Sequence, residues 1–155
     1  MTIEDDIAFL ERIPILRRLG AAGLRILAIG AESYALEVGQ VLFNAGEPAD
    51  GAYVIQRGAI ILKPDKPGER GVIAGPGTLL GEIALLTPVK RPATAIARDS
   101  STVLRISRSM FLRMLDGYPD AAQRIREMLA ARSDQWTRDL HNIRAALQRA
   151  AAAPD

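Results

Sequence analysis

The chain contains no cysteine and a single histidine, His141. Without cysteine there is no disulfide, no thiolate nucleophile, no Cys-ligated zinc and no iron–sulfur cluster. One histidine excludes any multi-histidine metal site. It also leaves no Ser/His pairing unless His141 is itself the base. Cupin-type enzymes and haem sensors therefore find no ligand set on the strands, and neither a catalytic residue nor a metal is expected. Long apolar runs are missing too: the stretch over 26–31 is far too short to span a bilayer. The opening residues Glu4, Asp5 and Asp6 place acids where a secretory leader has bases. A cytoplasmic protein without a membrane segment is expected. Strong charge of one sign is also absent. Twenty Lys and Arg stand against eighteen Asp and Glu, and the seventeen arginines are spread along the chain. A nucleic-acid binder usually gathers its basic charge on one face, so a mixed solvated surface is the better reading.

What is present falls into three zones of one domain, 1–155. A chain of 155 residues can bury a core without staples. Over 1–31, apolar residues at Ile7, Leu10, Ile13, Leu16, Leu19, Leu24 and Leu27 recur at helical spacing. Pro14 and the Gly20–Gly23 stretch divide this zone into two or three short helices. Over 32–107 glycines and prolines punctuate short apolar runs at 40–44, 52–56, 59–62, 71–74, 94–97 and 102–106. That pattern predicts an all-β sandwich or barrel. Residues 63–70 read as a polar hairpin tip and Asp99–Ser101 as a tight turn. Over 108–150 the chain returns to helix, with Ser107 as N-cap, Gly117 as a stop and Pro119 at a new first turn.

No glycine or proline then occurs until Pro154. A helix of that length runs about 45 Å at 1.5 Å per residue, longer than a small β domain needs. Leu129, Trp136, Ile143 and Ala150 repeat by seven, and Ser133, Leu140 and Leu147 form a second such row. This is a coiled-coil seam, and a homodimer about a two-fold axis is the preferred reading. The same stripe packed on its own domain is the alternative.

The most informative stretch is 81–95: Gly81 and Glu82, then Ile83–Leu86, a turn at Thr87-Pro88, then Lys90-Arg91 before a β-like run. A short helix starting here presents backbone N–H groups to an anion. Arg91 can fork two donors onto one phosphate, and an acid nine residues earlier can accept from ligand hydroxyls. A surface ion pair between Glu82 and Arg91 accounts for the same residues equally well.

This stretch resembles the phosphate-binding cassette of cyclic-nucleotide-binding domains. The resemblance extends upstream through Gly39–Gly46, Tyr53-Val54-Ile55, Gly58 and Gly75-Pro76-Gly77, and downstream through Phe111–Leu115 and Pro119-Asp120. It covers roughly 7–145 and implies an α+β, mainly β fold. In it, an eight-stranded β-roll (double-stranded β-helix or jelly roll) carries N-terminal helices and a long C-terminal dimerisation helix. It implies that Glu82 accepts from the ribose 2′-hydroxyl and that Arg91 pairs with the cyclic phosphate, helped by the Ala84 N–H. Gly81 would allow close approach, and Ile83, Leu85 and Leu86 would be part hinge, part core. Ile83, Pro92 and Ala93 complete the ligand-binding set that the resemblance implies within the cassette. Trp136 and Thr137 fall where the family meets the base, and Trp136 equally fits the dimer seam.

One departure stands out. Pro92 follows the cassette arginine, where relatives offer an N–H or hydroxyl to the phosphate, and proline has no N–H. A threonine there contacts guanine in cGMP-preferring relatives, so the ligand is expected to be cAMP rather than cGMP. Too few residues follow Ala150 for the DNA-binding domain of activator-type relatives. The expected function is a cyclic-nucleotide sensor, not an enzyme, that signals to an unidentified protein effector through its C-terminal helix. The alternative is a nucleotide-independent interaction module on the same fold.

Overall fold

The computed structural model describes residues 2–68, 70–128 and 131. Three helices open the chain: α1 (Ile3–Leu10), α2 (Pro14–Arg17) and α3 (Gly20–Gly30). Thr2 caps α1 reciprocally, its hydroxyl taking the Asp5 N–H while the Asp5 carboxylate takes the Thr2 N–H, at 3.2 and 3.1 Å. The Thr2 N–H holds the Asp5 carboxyl below its ordinary pKa. Pro14 sits in the first turn of α2, where a missing N–H leaves no bond unmade.

Strands follow: β1 (Glu32–Leu36), β2 (Val41–Phe43), β3 (Pro48–Ala49), β4 (Gly51–Arg57), β5 (Ile60–Pro64), β6 (Val72–Ala74) and β7 (Leu79–Leu80). After a 3₁₀ turn at Glu82–Leu85 come β8 (Val89–Lys90), β9 (Ala93–Ala97) and β10 (Ser101–Ser107). The strands pair antiparallel in two four-stranded sheets, ordered β1-β10-β4-β7 and β2-β9-β5-β6, with a separate ladder of β3 and β8. Among the described residues there are ten strand segments where eight were expected. The two larger sheets account for eight, and the β3–β8 ladder adds two pieces of two residues each.

The chain then returns to helix. Ser107 caps α4 (Arg108–Asp116), its hydroxyl accepting from the Met110 N–H at 3.2 Å, and Gly117 ends it. A further helix, α5, runs over 119–128. The expected dimer seam from Leu129 onward lies outside the described residues, as do Trp136 and Thr137.

Strand alternation sends side chains to two cores. On β4, Ala52 and Val54 face the helices, while Ile55 faces the roll interior; on β10, Leu104 and Ile106 face the helices and Val103 the interior. The helix-side core joins Leu10, Leu16, Leu27, Phe111 and Ile125, all fully buried. The interior core joins Leu36, Phe43, Ile60, Leu80 and Ala95 between the sheets. Burying each such leucine or phenylalanine contributes about 1.5–3 kcal/mol. The 3₁₀ turn is anchored to the helix-side core by Leu85, with Glu82 at its start.

Candidate functional site

The stretch 81–92 leaves β7 and returns to β9 through the 3₁₀ turn and β8. Gly81 begins it with φ +81°, a left-handed conformation that side chains rarely adopt. A Cβ at Gly81 would also collide with Nη1 of Arg91. The backbone angle alone calls for glycine, and a side chain here would displace the arginine beside it. The Ala84 N–H closes the turn on the Gly81 carbonyl at 3.0 Å. The amide expected to help hold a phosphate is therefore already engaged within the turn.

Arg91 is brought in by the β3–β8 ladder. Its N–H donates to the Glu47 carbonyl and its carbonyl accepts from the Gly46 N–H, both at 2.8 Å. These bonds fix its backbone and send the side chain inward, where only 6% of the residue is exposed. Nη2 donates to the Gly51 carbonyl at 2.8 Å. Nη1 is buried without a hydrogen-bond partner among the described residues. Burial lowers the Arg91 pKa, against the pull of Tyr53, Asp50 and Glu47. The side chain is also stacked: its Cζ lies 4.4 Å from the Phe43 ring centre and 5.5 Å from that of Tyr53.

Three arginines converge on the corner Ala49-Asp50-Gly51. Arg91 holds the Gly51 carbonyl from the cassette side. Arg105 of β10 donates to the Asp50 carboxylate at 2.6 Å and lies 3.7 Å from Glu32. Burial opposes the Arg105 charge, but its bond to Asp50 and the neighbouring charges outweigh burial and raise its pKa. Arg108, the first residue of α4, donates from Nη1 to the carbonyls of Ala49, Ala84 and Thr87 at 2.9, 3.2 and 3.3 Å. Its N–H donates to the Asp50 carbonyl at 2.7 Å. One side chain thus ties the corner, the 3₁₀ turn and the start of α4 together. Gly51 admits no side chain here, since a Cβ would collide with the Ile106 carbonyl.

The structure brings Gly81, Glu82 and Arg91 into one loop as expected, with Glu82 half-buried at the turn's first position. Leu85 and Leu86 pack on the helix-side core, while Ile83 is 51% exposed. Pro92 is exposed and Ala93 half-buried at the start of β9. Sequence reasoning missed the roles of Phe43, Asp50, Gly51, Tyr53, Arg105 and Arg108. Phe43 and Tyr53 were visible as aromatic residues in strand-like runs, but nothing local links them to residue 91. Among the described residues no cluster of acids or histidine could hold a metal, and no helix is long and apolar enough to cross a membrane.

Residues 35–118 match the cyclic nucleotide-binding domain family. The regulatory subunit of cAMP-dependent protein kinase from Yarrowia lipolytica is 34% identical over 109 residues, 69% of this chain and 28% of that protein. The chain therefore spans less than a third of that relative. A cyclic nucleotide-binding-like protein of Brucella abortus is similar at 39% identity and a TM-score of 0.65, over 72% of this chain and 98% of that one. The N-terminal domain of a Streptomyces coelicolor transcriptional regulator is similar at 27% identity and a TM-score of 0.74, over 82% and 93%. With more than half its length matched, and with the antiparallel sheets and helices described above, this chain belongs to the cyclic nucleotide-binding domain family.

Proposed function

We propose that this domain is a sensor that binds a cyclic nucleotide, cAMP in preference to cGMP, at the turn 81–85 and Arg91. The observation that carries this reading is the buried Nη1 of Arg91, unpartnered among the described residues and packed against Gly81. A buried donor left unmade costs about 1–3 kcal/mol. A phosphate oxygen relieves that cost and gives the desolvated guanidinium a counter-charge. Glu82 accepts from the ribose 2′-hydroxyl. Trp136 and Thr137, outside the described residues, contact the base. The preference for cAMP rests on Pro92, which offers neither hydroxyl nor N–H to a guanine. The Yarrowia relative, a cAMP-dependent kinase subunit, supports the same ligand.

Arg108 supplies the output. For a phosphate to reach Nη1, the turn 82–85 must lift from Gly81's present position. Arg108 grips that turn at Ala84 and Thr87 and is itself the first residue of α4. Movement of the turn therefore loads the start of the C-terminal helices, shifting a two-state equilibrium that a protein effector reads. The protein acts in the cytoplasm as one domain, is not an enzyme, and dimerises through its C-terminal helix. Calorimetric titration with cAMP and cGMP tests the ligand. Heat with cAMP, weaker or absent heat with cGMP, and loss of both on Arg91→Ala are expected. No heat with either nucleotide rejects the sensor and leaves an interaction module on the same fold.

A further inference from the structure

The proposed function uses one edge of the Arg91 guanidinium and leaves its flat face unexplained. Its central carbon lies over the rings of Phe43 and Tyr53, whose centres are 6.0 Å apart and whose planes are inclined by 29°. Phe43 comes from β2 and Tyr53 from β4, so the two rings belong to different sheets and meet where those sheets face each other. Each ring presents a negative face to the cation, an attraction that grows when water is excluded. The Gly51 carbonyl fixes a second direction by taking Nη2. With the rings on one side and the Gly51 carbonyl holding Nη2, Nη1 lies against Gly81. An ammonium group has no plane to hold in this way.

We infer that Phe43 and Tyr53 are positioning residues for anion capture, holding the Arg91 guanidinium over their rings so that its Nη1 edge stays aimed at the cassette turn. This rests on the reading of Arg91 as the phosphate ligand. An arginine so held has already lost the rotamer freedom that a solvent-exposed arginine would lose on binding. The seat also explains why two aromatic residues stand inside an otherwise aliphatic roll.

Substitutions that keep bulk but remove the ring face test the seat. Tyr53→Phe keeps the face and is expected to bind cAMP within about twofold of the wild type. Phe43→Leu and Tyr53→Leu are each expected to weaken cAMP binding about tenfold, the size of one desolvated cation–π contact. Near-ultraviolet dichroism confirms that each variant is folded. A second readout needs neither variant nor ligand: in ¹⁵N-labelled wild type, ring currents shift the Arg91 side-chain resonances away from the positions of solvated arginines. Unshifted Arg91 resonances overturn the proposal. So does a folded Tyr53→Leu protein that binds as tightly as the wild type, or a Tyr53→Phe protein that loses as much as Tyr53→Leu. A wild type that takes up neither cAMP nor cGMP overturns the nucleotide reading, and the Arg91 resonances still decide whether the seat exists.

Discussion

The sheet β1-β10-β4-β7 has a core on each face, and the two cores differ in what they enclose. On the helix side the core runs from Leu10 to Ile125, and the buried Gln56 at its edge has its amide paired with Asp6. On the roll side a guanidinium is packed against the apolar cluster, stacked on Phe43 and Tyr53, with one donor unmade. The first core leaves no buried side-chain donor unmet among the described residues. The second gives up stability at one point, and native structures keep such an unmet group where binding or movement needs it. Arg108 holds the cassette turn to the Ala49 corner and to the start of α4.

The largest effect that sharpens this contrast is expected on the helix side. Phe111→Ala removes a fully buried ring and should cost about 3–5 kcal/mol of unfolding free energy in urea titration. A loss below about 1 kcal/mol would show that this core is not the stabilising one. Arg91→Ala should behave oppositely. Nucleotide affinity is expected to fall at least tenfold, as for a lost charge-assisted bond, while unfolding free energy stays within about 1 kcal/mol of the wild type. A destabilisation as large as that of Phe111→Ala would make Arg91 a structural residue and erase the contrast.

Arg108→Ala probes the hold on the turn. Three carbonyls lose a shared donor, so a stability loss of about 1–2 kcal/mol is expected. Amide exchange over 82–87 should quicken more than exchange within β4. Uniform quickening would mean that Arg108 supports the whole fold rather than the turn. The smallest effect lies outside both cores. Asp5 caps α1 with a lowered pKa, so its contribution is fully present above the unfolded carboxylate value. It is lost as pH falls through the lowered folded value. Asp5→Asn should therefore flatten the acid limb of the melting curve slightly and leave neutral stability little changed by comparison with Phe111→Ala.

What was legible in the sequence follows from how local each signal is. The six apolar runs all appear as strands, because apolar residues between turn residues mark them locally, even in β6, where Val72 and Ile73 are exposed. β1 escaped notice because four of its five residues are exposed, and β3, β7 and β8 because two residues make no pattern. Gly81, Glu82 and Arg91 could be picked out since they share one loop. The partners of Arg91 could not. Gly51 lies 40 residues away, and the corner it belongs to meets the cassette through long-range contacts, the β3–β8 ladder and the side chains of Arg91 and Arg108. Arg108 looked like the first residue of a helix, which it is. Its grip on Ala84 and Thr87 depends on how that helix crosses the sheet, and a linear pattern does not record such a crossing.

A crystal structure grown with cAMP tests the central claim most directly. The account predicts the cyclic phosphate within hydrogen-bonding distance of Arg91 Nη1, the ribose hydroxyl on Glu82, and the turn 82–85 displaced along with the Arg108 contacts. Nucleotide bound elsewhere, or a phosphate seated while Nη1 remains packed against Gly81, would contradict it.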